Sequence, residues 1–218
     1  MKCANLLDIF VSPGDLFDEI IAAPLNLANW RVPTLLVCFV TIISVQLAIP
    51  SAQSAVTIHN LPEAGTLSTA QTQAFAGAWP LLSALFICAT TFAGTCWAAF
   101  VLWFIGRFFL KVRFPYFKAL EVVGLTGSIL LLGSIVTLLL VAISGNPAAQ
   151  PALSLAIPGF DSGLRLHQAL ETLNFFHLWS LAVLTIGLSR LCNVAFKEAA
   201  LWVFGYWIML RIVVIILQ

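Results

Sequence analysis

The chain has 218 residues, 61% hydrophobic and 9% charged, with a formal net charge of +1 and a mean hydropathy of +1.03. A soluble globular domain carries about 25% charged residues, so composition excludes a water-facing fold, and the near-neutral balance gives nucleic acid no footing. A polytopic α-helical membrane protein fits, and for such a chain the placement of the charges matters more than their sum.

Met1-Lys2 is followed by a short apolar run broken by Asp8, and Ser12-Pro13-Gly14-Asp15 ends it before a signal-peptide core forms. Residues 12–29 read as an amphipathic helix. Ser12 suits the N-cap, Pro13 the first helical position, and Asp15 the acid of a capping box. Leu16, Phe17, Ile20 and Ile21 recur at helical spacing opposite Asp15, Asp18 and Glu19. Such a helix is too short and too charged to span, and belongs at the membrane interface. Anionic headgroups repel an acidic face, so Asp15, Asp18 and Glu19 are expected to rest against the basic turn at 107–118 and Lys197.

Residues 1–31 are thus expected to be a cytoplasmic segment, and 32–218 a domain of five transmembrane helices, giving an all-α membrane protein. The first span is placed at about 32–50, entered at Trp30-Arg31 and left at Pro50, with the Ser-, Ala-, Gln- and Thr-rich stretch 51–76 as a loop. The second lies within 77–105 and the third within 119–143. Asn146, Pro147, Pro151, Pro158 and Gly159 mark another loop. A fourth helix is predicted from near Asp161-Ser162 to about Cys192, longer than the ~20 residues a bilayer needs, so it begins outside the hydrocarbon. The fifth is about 199–217.

Between the second and third spans lies Gly106-Arg-Phe-Phe-Leu-Lys-Val-Arg-Phe-Pro-Tyr-Phe-Lys118, with Arg107, Lys111, Arg113 and Lys118 among only ten basic residues in the chain. Residues 64–106 carry no charge at all, and beyond it only Glu121 interrupts an uncharged run lasting to Asp161. With the N-terminus inside, Lys2, Arg31, Arg107, Lys111, Arg113, Lys118, Arg190 and Lys197 fall on the cytoplasmic side and only Arg165 outside, with Arg211 within the fifth span. This asymmetry predicts an N-terminus in and a C-terminus out. Ile105-Gly106-Arg107 leading to Phe117-Lys118-Ala119 also echoes Ile186-Gly187, Arg190 and Phe196-Lys197, which reads either as a parallel repeat of two helical hairpins or as what basic turns between spans have in common.

Polar groups inside spans are the usual functional candidates. His167, Glu171 and Asn174 fall at i, i+4 and i+7, with His177 beside them and Thr185, Ser189 and Cys192 continuing the stripe. The set reads either as a polar path or as a buried bundle face whose outer end meets water; two metal-type ligands without a third are a weak metal signal. Helix-rise counting brings Arg211 toward Glu171 or Asn174, against the alternative of snorkelling to the outer interface. Glu121 lies within helical reach of Lys118, and a salt bridge accounts for it. Gly94 with Ala98, and Gly124 with Ser128, allow close helix approach, while Trp30, Trp79 and Trp103 suit aromatic belts. The five cysteines are scattered and read as small apolar side chains. His-Glu-x-x-His, Gly-x-Ser-x-Gly and P-loop signatures are missing, so no catalytic residue, metal or cofactor is assigned.

Ser12-Pro13-x-x-x-Phe17 resembles the entry motif of the Yip-domain (Ypt-interacting protein) family. Phe117-Lys118-Ala119-Leu120 with Val122-Val123-Gly124, Leu173-Asn174-Phe175-Phe176-His177-Leu178-Trp179 with Ile186-Gly187-Leu188, and Lys197 with Ala199 are similar to its later span entries. The proline often found early in the family's third span is absent. The resemblance implies five spans with the N-terminus cytoplasmic. Eukaryotic members contact Rab-type GTPases through a longer N-terminal region, so that partner does not carry over to a segment of about thirty residues. The chain looks more like the short bacterial members. The expectation is a non-enzymatic protein of a bacterial inner membrane with a membrane-organisation or partner-binding role, in contact with lipid and with a membrane-protein partner or further copies of itself. The alternative is a small transporter or channel subunit whose path is lined by Arg211, Glu171 and His177.

Overall fold

The computed structural model describes residues 7–58, 69–144, 149–152, 170 and 173–217, with side chains described outside 47–58, 69–78, 215 and 217. Seven α-helices occur among the described residues: α1 (Asp8–Val11), α2 (Pro13–Ala22), α3 (Ala28–Ile58), α4 (Thr69–Phe104), α5 (Tyr116–Ser144), α6 (Phe175–Cys192) and α7 (Phe196–Leu217). A π-helical turn, Ile105–Phe109, continues α4. Among those residues there is no strand, only an isolated antiparallel bridge between Ala152 and Asn174.

Four helical stretches are long and apolar enough to cross a membrane: Ala28–Gln46, Trp79–Phe109, Tyr116–Ser144 and Phe175–Cys192. The 22-residue α7, expected as the fifth span, reaches about 33 Å at ~1.5 Å per residue. Lys197, Glu198 and Arg211 set it apart from the other four by composition.

Several boundaries differ from expectation. The amphipathic helix expected over 12–29 ends at Ala22, where Ala23 is extended, and α3 begins at Ala28. The presumed loop at 51–76 is partly helical, because α3 continues to Ile58 and α4 begins at Thr69. The Ala and Gln residues there are good helix formers, and their polarity removes them from lipid without removing them from a helix. The fourth helix does not run unbroken from Asp161-Ser162. Asn174 is extended (φ −80°, ψ 129°), caps α6 by accepting from Phe176 N at 2.9 Å, and bridges to Ala152, so the helix starts at Phe175. An Asn side chain that satisfies an orphan helical N–H favours this break over continuation.

The long helix α5 packs against α1, α3, α4 and α6, and its first turns, from Ala119 through Ser128, are nearly all buried. Lipid gives apolar helices no hydrophobic reason to associate, so close approach through small residues has to supply the contact. A Cβ on Gly124 would collide with the Trp30 backbone, one on Gly187 with Val122, and one on Gly133 would meet Phe176 Cβ at 2.8 Å. Gly124 therefore makes the close contact its spacing suggests, whereas Gly94 has nothing within 4 Å. Phe39, Phe86, Leu139 and Leu201 are exposed, as side chains facing lipid tails should be.

The amphipathic pattern of α2 is as read: Leu16, Phe17 and Ile20 are buried while Asp15, Asp18 and Glu19 are exposed. Its apolar face, however, meets protein and not lipid. Phe17 sits in the notch left by Gly187, and in the preceding α1 Phe10 meets the Trp179 ring edge-on at 5.7 Å. Asp18 reaches Arg190, and Arg190 lies about 16 Å along α6 from Trp179 at ~1.5 Å per residue. The N-terminal segment thus rises along α6. Substituting Gly124 by Ala should destabilise the bundle by about 1–3 kcal/mol through overpacking, whereas Gly94→Leu should change stability by less than about 0.5 kcal/mol. Denaturant titration of the purified protein in mixed micelles reads both.

Candidate functional site

Two polar constellations occupy opposite ends of the bundle. The first is built on the basic turn. Lys118, in the first turn of α5, donates to Ile20 O and Ala23 O, both at 2.8 Å, and pairs with Glu121 Oε2 at 2.8 Å. Glu121 is fully buried, and its Oε1 accepts from Asn26 N at 2.8 Å and Asn29 Nδ2 at 3.2 Å. Asn26 Oδ1 in turn accepts from Ala28 N at 3.1 Å at the start of α3. The acceptors Lys118 chooses lie at the C-terminal end of α2, where unpaired carbonyls and the negative end of the helix dipole favour a cation.

The Lys118–Glu121 pair thus holds the end of α2, the 23–27 linker and the start of α3 on α5. The expected docking of α2's acids on the 107–118 turn takes another form. The turn grips α2 through backbone carbonyls, and Asp18 pairs with Arg190 at 3.1 Å, both side chains about half exposed (51% and 48%). The reason is orientation: with Leu16, Phe17 and Ile20 turned inward, the acidic face points away from the bundle. Arg107 lies over the Trp103 ring at 5.5 Å. Arg107, Lys111 and Arg113 are exposed, and none has a carboxylate partner among the described residues; nor have Asp15 and Glu19 a cationic one.

The second constellation is a hollow of about 320 Å³ between α3, α5 and the start of α6, lined by Thr41, Ser44, Thr137, Gln150, Asn174 and His177 among others. The hydroxyls of Ser44, Ser134 and Thr137 donate to carbonyls of their own helices at 2.9, 3.0 and 2.9 Å. Their oxygens remain able to accept, so the wall offers hydroxyl acceptors beside the carboxamides of Gln150 and Asn174 and one imidazole. A cavity of this size and polarity suits water or a small polar solute. Arg211 interacts electrostatically with His177, and its guanidinium lies 5.7 Å from the Trp207 ring centroid.

The structure brings Asn174 and His177 to one hollow, whereas His167 and Glu171 lie outside the described residues. Asn174 is not one step of a helical stripe but the cap that starts α6, with its Oδ1 already occupied, and Arg211 forms no hydrogen bond to it among the described residues. Thr185 and Ser189 donate to Leu181 O and Val194 O at 2.7 Å each, which makes them structural within α6. Among the described residues no group of three His, Cys, Asp or Glu is placed to hold a metal. Sequence reasoning missed Asn26, Asn29, Thr41 and Thr137. Nothing local marks the two asparagines, whose partner Glu121 is 95 and 92 residues away.

The Yip1 domain matches residues 7–217, from just before α1 to the last turn of α7. The chain belongs to the Yip1 family. Both constellations lie inside this Yip1 domain, and Lys118 belongs to the Phe117-Lys118-Ala119-Leu120 segment through which the likeness is legible. No curated protein and no solved structure matches the chain.

Breaking a buried pair from one side leaves an uncompensated charge and costs about 3–5 kcal/mol, whereas replacing both partners with apolar residues is far milder. Lys118→Met should accordingly destabilise this Yip1 domain by that amount, and Lys118→Met with Glu121→Leu should recover part of the loss. Asp18→Asn, at a half-exposed pair, should cost no more than about 1 kcal/mol. A double-mutant cycle by denaturant titration measures all three.

Proposed function

We propose that this Yip1-family protein is a non-enzymatic, five-span subunit of a bacterial inner membrane, with its N-terminus in and its C-terminus out, that organises membrane or binds a membrane-protein partner. One observation carries the reading. The charges at the basic end divide into a buried set that fixes the N-terminal segment and an exposed set left to face outward, Arg107, Lys111 and Arg113 beside the acids Asp15, Asp18 and Glu19 of α2. A rigid end with charges of both signs on its surface suits recognition of a partner of mixed charge, and orientation by exposed charges acts on specificity and encounter. In this reading α7 is the fifth span, with Arg211 in its outer half beside His177.

A transport role is the second reading, favoured by the polar hollow at Asn174 and His177 with Arg211 near it. An intramembrane ionisable residue next to a cavity is the usual mark of a substrate path. There His167 and Glu171 are proposed to extend the same polar region.

Two experiments decide between them. Intact protein extracted with its native lipids should co-purify one membrane protein in fixed stoichiometry, and that partner should be lost from the Arg107→Ala/Lys111→Ala/Arg113→Ala variant while the fold is kept. Solute flux through reconstituted liposomes that disappears with Arg211→Ala would replace this reading with transport. Thiol labelling should place the 107–118 turn on the cytoplasmic face and Gln218 on the opposite one.

A further inference from the structure

The helices α4 and α7 touch at two points. Phe109, the last residue of the π turn, stacks on Trp202 with ring centroids 4.0 Å apart, and Trp97 Nε1 donates to Tyr206 Oη at 3.1 Å. Between these contacts the helices part around an apolar groove of about 670 Å³. Phe100, Phe104 and Phe109 form one wall, and Leu201, Gly205 and Met209 the other. Several of these side chains are exposed, so the groove opens on the lipid side of the bundle.

We infer that this groove holds one acyl chain of an anionic glycerophospholipid, whose phosphate meets Arg107 and Lys197 at the basic end of the groove. No charged side chain lines the cavity, and the Trp97 N–H is taken up by the Tyr206 oxygen, so the wall favours hydrocarbon. From Leu201 to Met209 the groove follows about 12 Å of helix, close to the ~15 Å of a single leaflet's hydrocarbon. Lys197 stands one turn before Leu201 on the same face of α7, since 197, 201, 205 and 209 recur every four residues. Arg107 lies three residues beyond the groove-lining Phe104, and both cations are exposed. Glu198 is the one acid in the first turn of α7, outnumbered at this end by Arg107, Lys111, Arg113 and Lys197.

Gly205 widens the groove. A Cβ there would have nothing within 4 Å, so no packing contact requires the glycine, and its missing side chain is what leaves the space. The inference rests on the membrane location of the chain and not on the partner-binding reading above.

The test uses the full chain reconstituted in bilayers of equal phosphatidylglycerol and phosphatidylcholine, then released for native mass spectrometry. Wild-type protein should keep one phosphatidylglycerol. Gly205→Leu should narrow the groove and lower that occupancy about tenfold, equivalent to about 1.4 kcal/mol, while Gly94→Leu, an equally unobstructed glycine on α4, should leave it unchanged. Arg107→Gln with Lys197→Gln should keep a bound lipid but lose the preference for phosphatidylglycerol. In wild-type protein, where no variant has to fold, phosphatidylglycerol brominated along its acyl chain should quench tryptophan fluorescence more steeply than brominated phosphatidylcholine. Equal retention of the two lipids by wild type, equal quenching, or unchanged retention in Gly205→Leu would each overturn the assignment. So would a wild-type dimer that Gly205→Leu disperses, since a second copy would then occupy the groove.

Discussion

A lysine and a glutamate one helical turn apart, the first mostly and the second wholly removed from water, determine how the N-terminal segment is held. Bringing two charges into low dielectric is unfavourable unless geometry and additional hydrogen bonds compensate. Here the ammonium donates to two carbonyls at 2.8 Å and lies 2.8 Å from Glu121 Oε2, and Glu121 Oε1 collects two further donors, so neither charge lacks a partner. The partners come from positions 92 to 98 residues away in the chain, which turns a local i, i+3 pair into the join between α2, the linker, α3 and α5. The consequence reaches further up α3. Fixing Asn26 and Asn29 sets Trp30 against Gly124, the closest approach between α3 and α5.

That approach matters because the lipid-embedded part has no other strong source of cohesion. Phe39, Phe86 and Leu139 find lipid as good a solvent as protein, so the contacts that hold the helices are steric fits at Gly124, Gly133 and Gly187 together with polar links. Helix hydroxyls on Thr126, Thr137 and Thr185 return their protons to their own carbonyls and add little between helices. The two ends of the bundle then differ in kind. At the basic end Lys118, Glu121, Asn26 and Asn29 link α2, the linker and α3 to α5. At the Asn174–His177 end, side chains with spare acceptor capacity border an open hollow. Such links favour rigidity and a hollow favours exchange with water or a solute.

Hydrophobic runs and basic residues made most of the helices legible in the sequence, as did the buried face of α2. What was not legible follows a physical pattern. Polar stretches such as 51–58 lose their hydropathy signal without losing helix propensity, so hydropathy ends the span but not the helix. Asn174 looks like one more polar residue at helical spacing until its side chain is seen to cap α6, because capping depends on a local backbone choice that periodicity does not encode. The acids of α2 were correctly placed opposite its apolar residues, but an exposed acid can meet any cation nearby, and Arg190 is nearer than the basic turn. For the polar site, the sequence selected Asn174 and His177, while Thr41 and Thr137 entered only because α3 and α5 place them around the same hollow.

The basic turn shows how one short stretch can serve both the inside and the outside of the fold. The π turn closes with Leu110 N donating to Ile105 O at 3.1 Å, and Lys111 then adopts a left-handed conformation (φ 57°) that redirects the chain. The wider turn carries Phe109 onto Trp202 while leaving Arg107 over Trp103 and exposed. Seven residues on from that reversal, within the first turn of α5, Lys118 points back to α2. A regular helix through 105–109 would rotate Phe109 and the following cations by a fraction of a turn, since π geometry inserts one residue per turn relative to α. The irregular turn therefore couples two separate features, the aromatic contact that closes one end of the α4–α7 groove and the division of cations between a buried clamp and an exposed surface. A contiguous helix–turn–helix of ordinary geometry would have to give up one to keep the other.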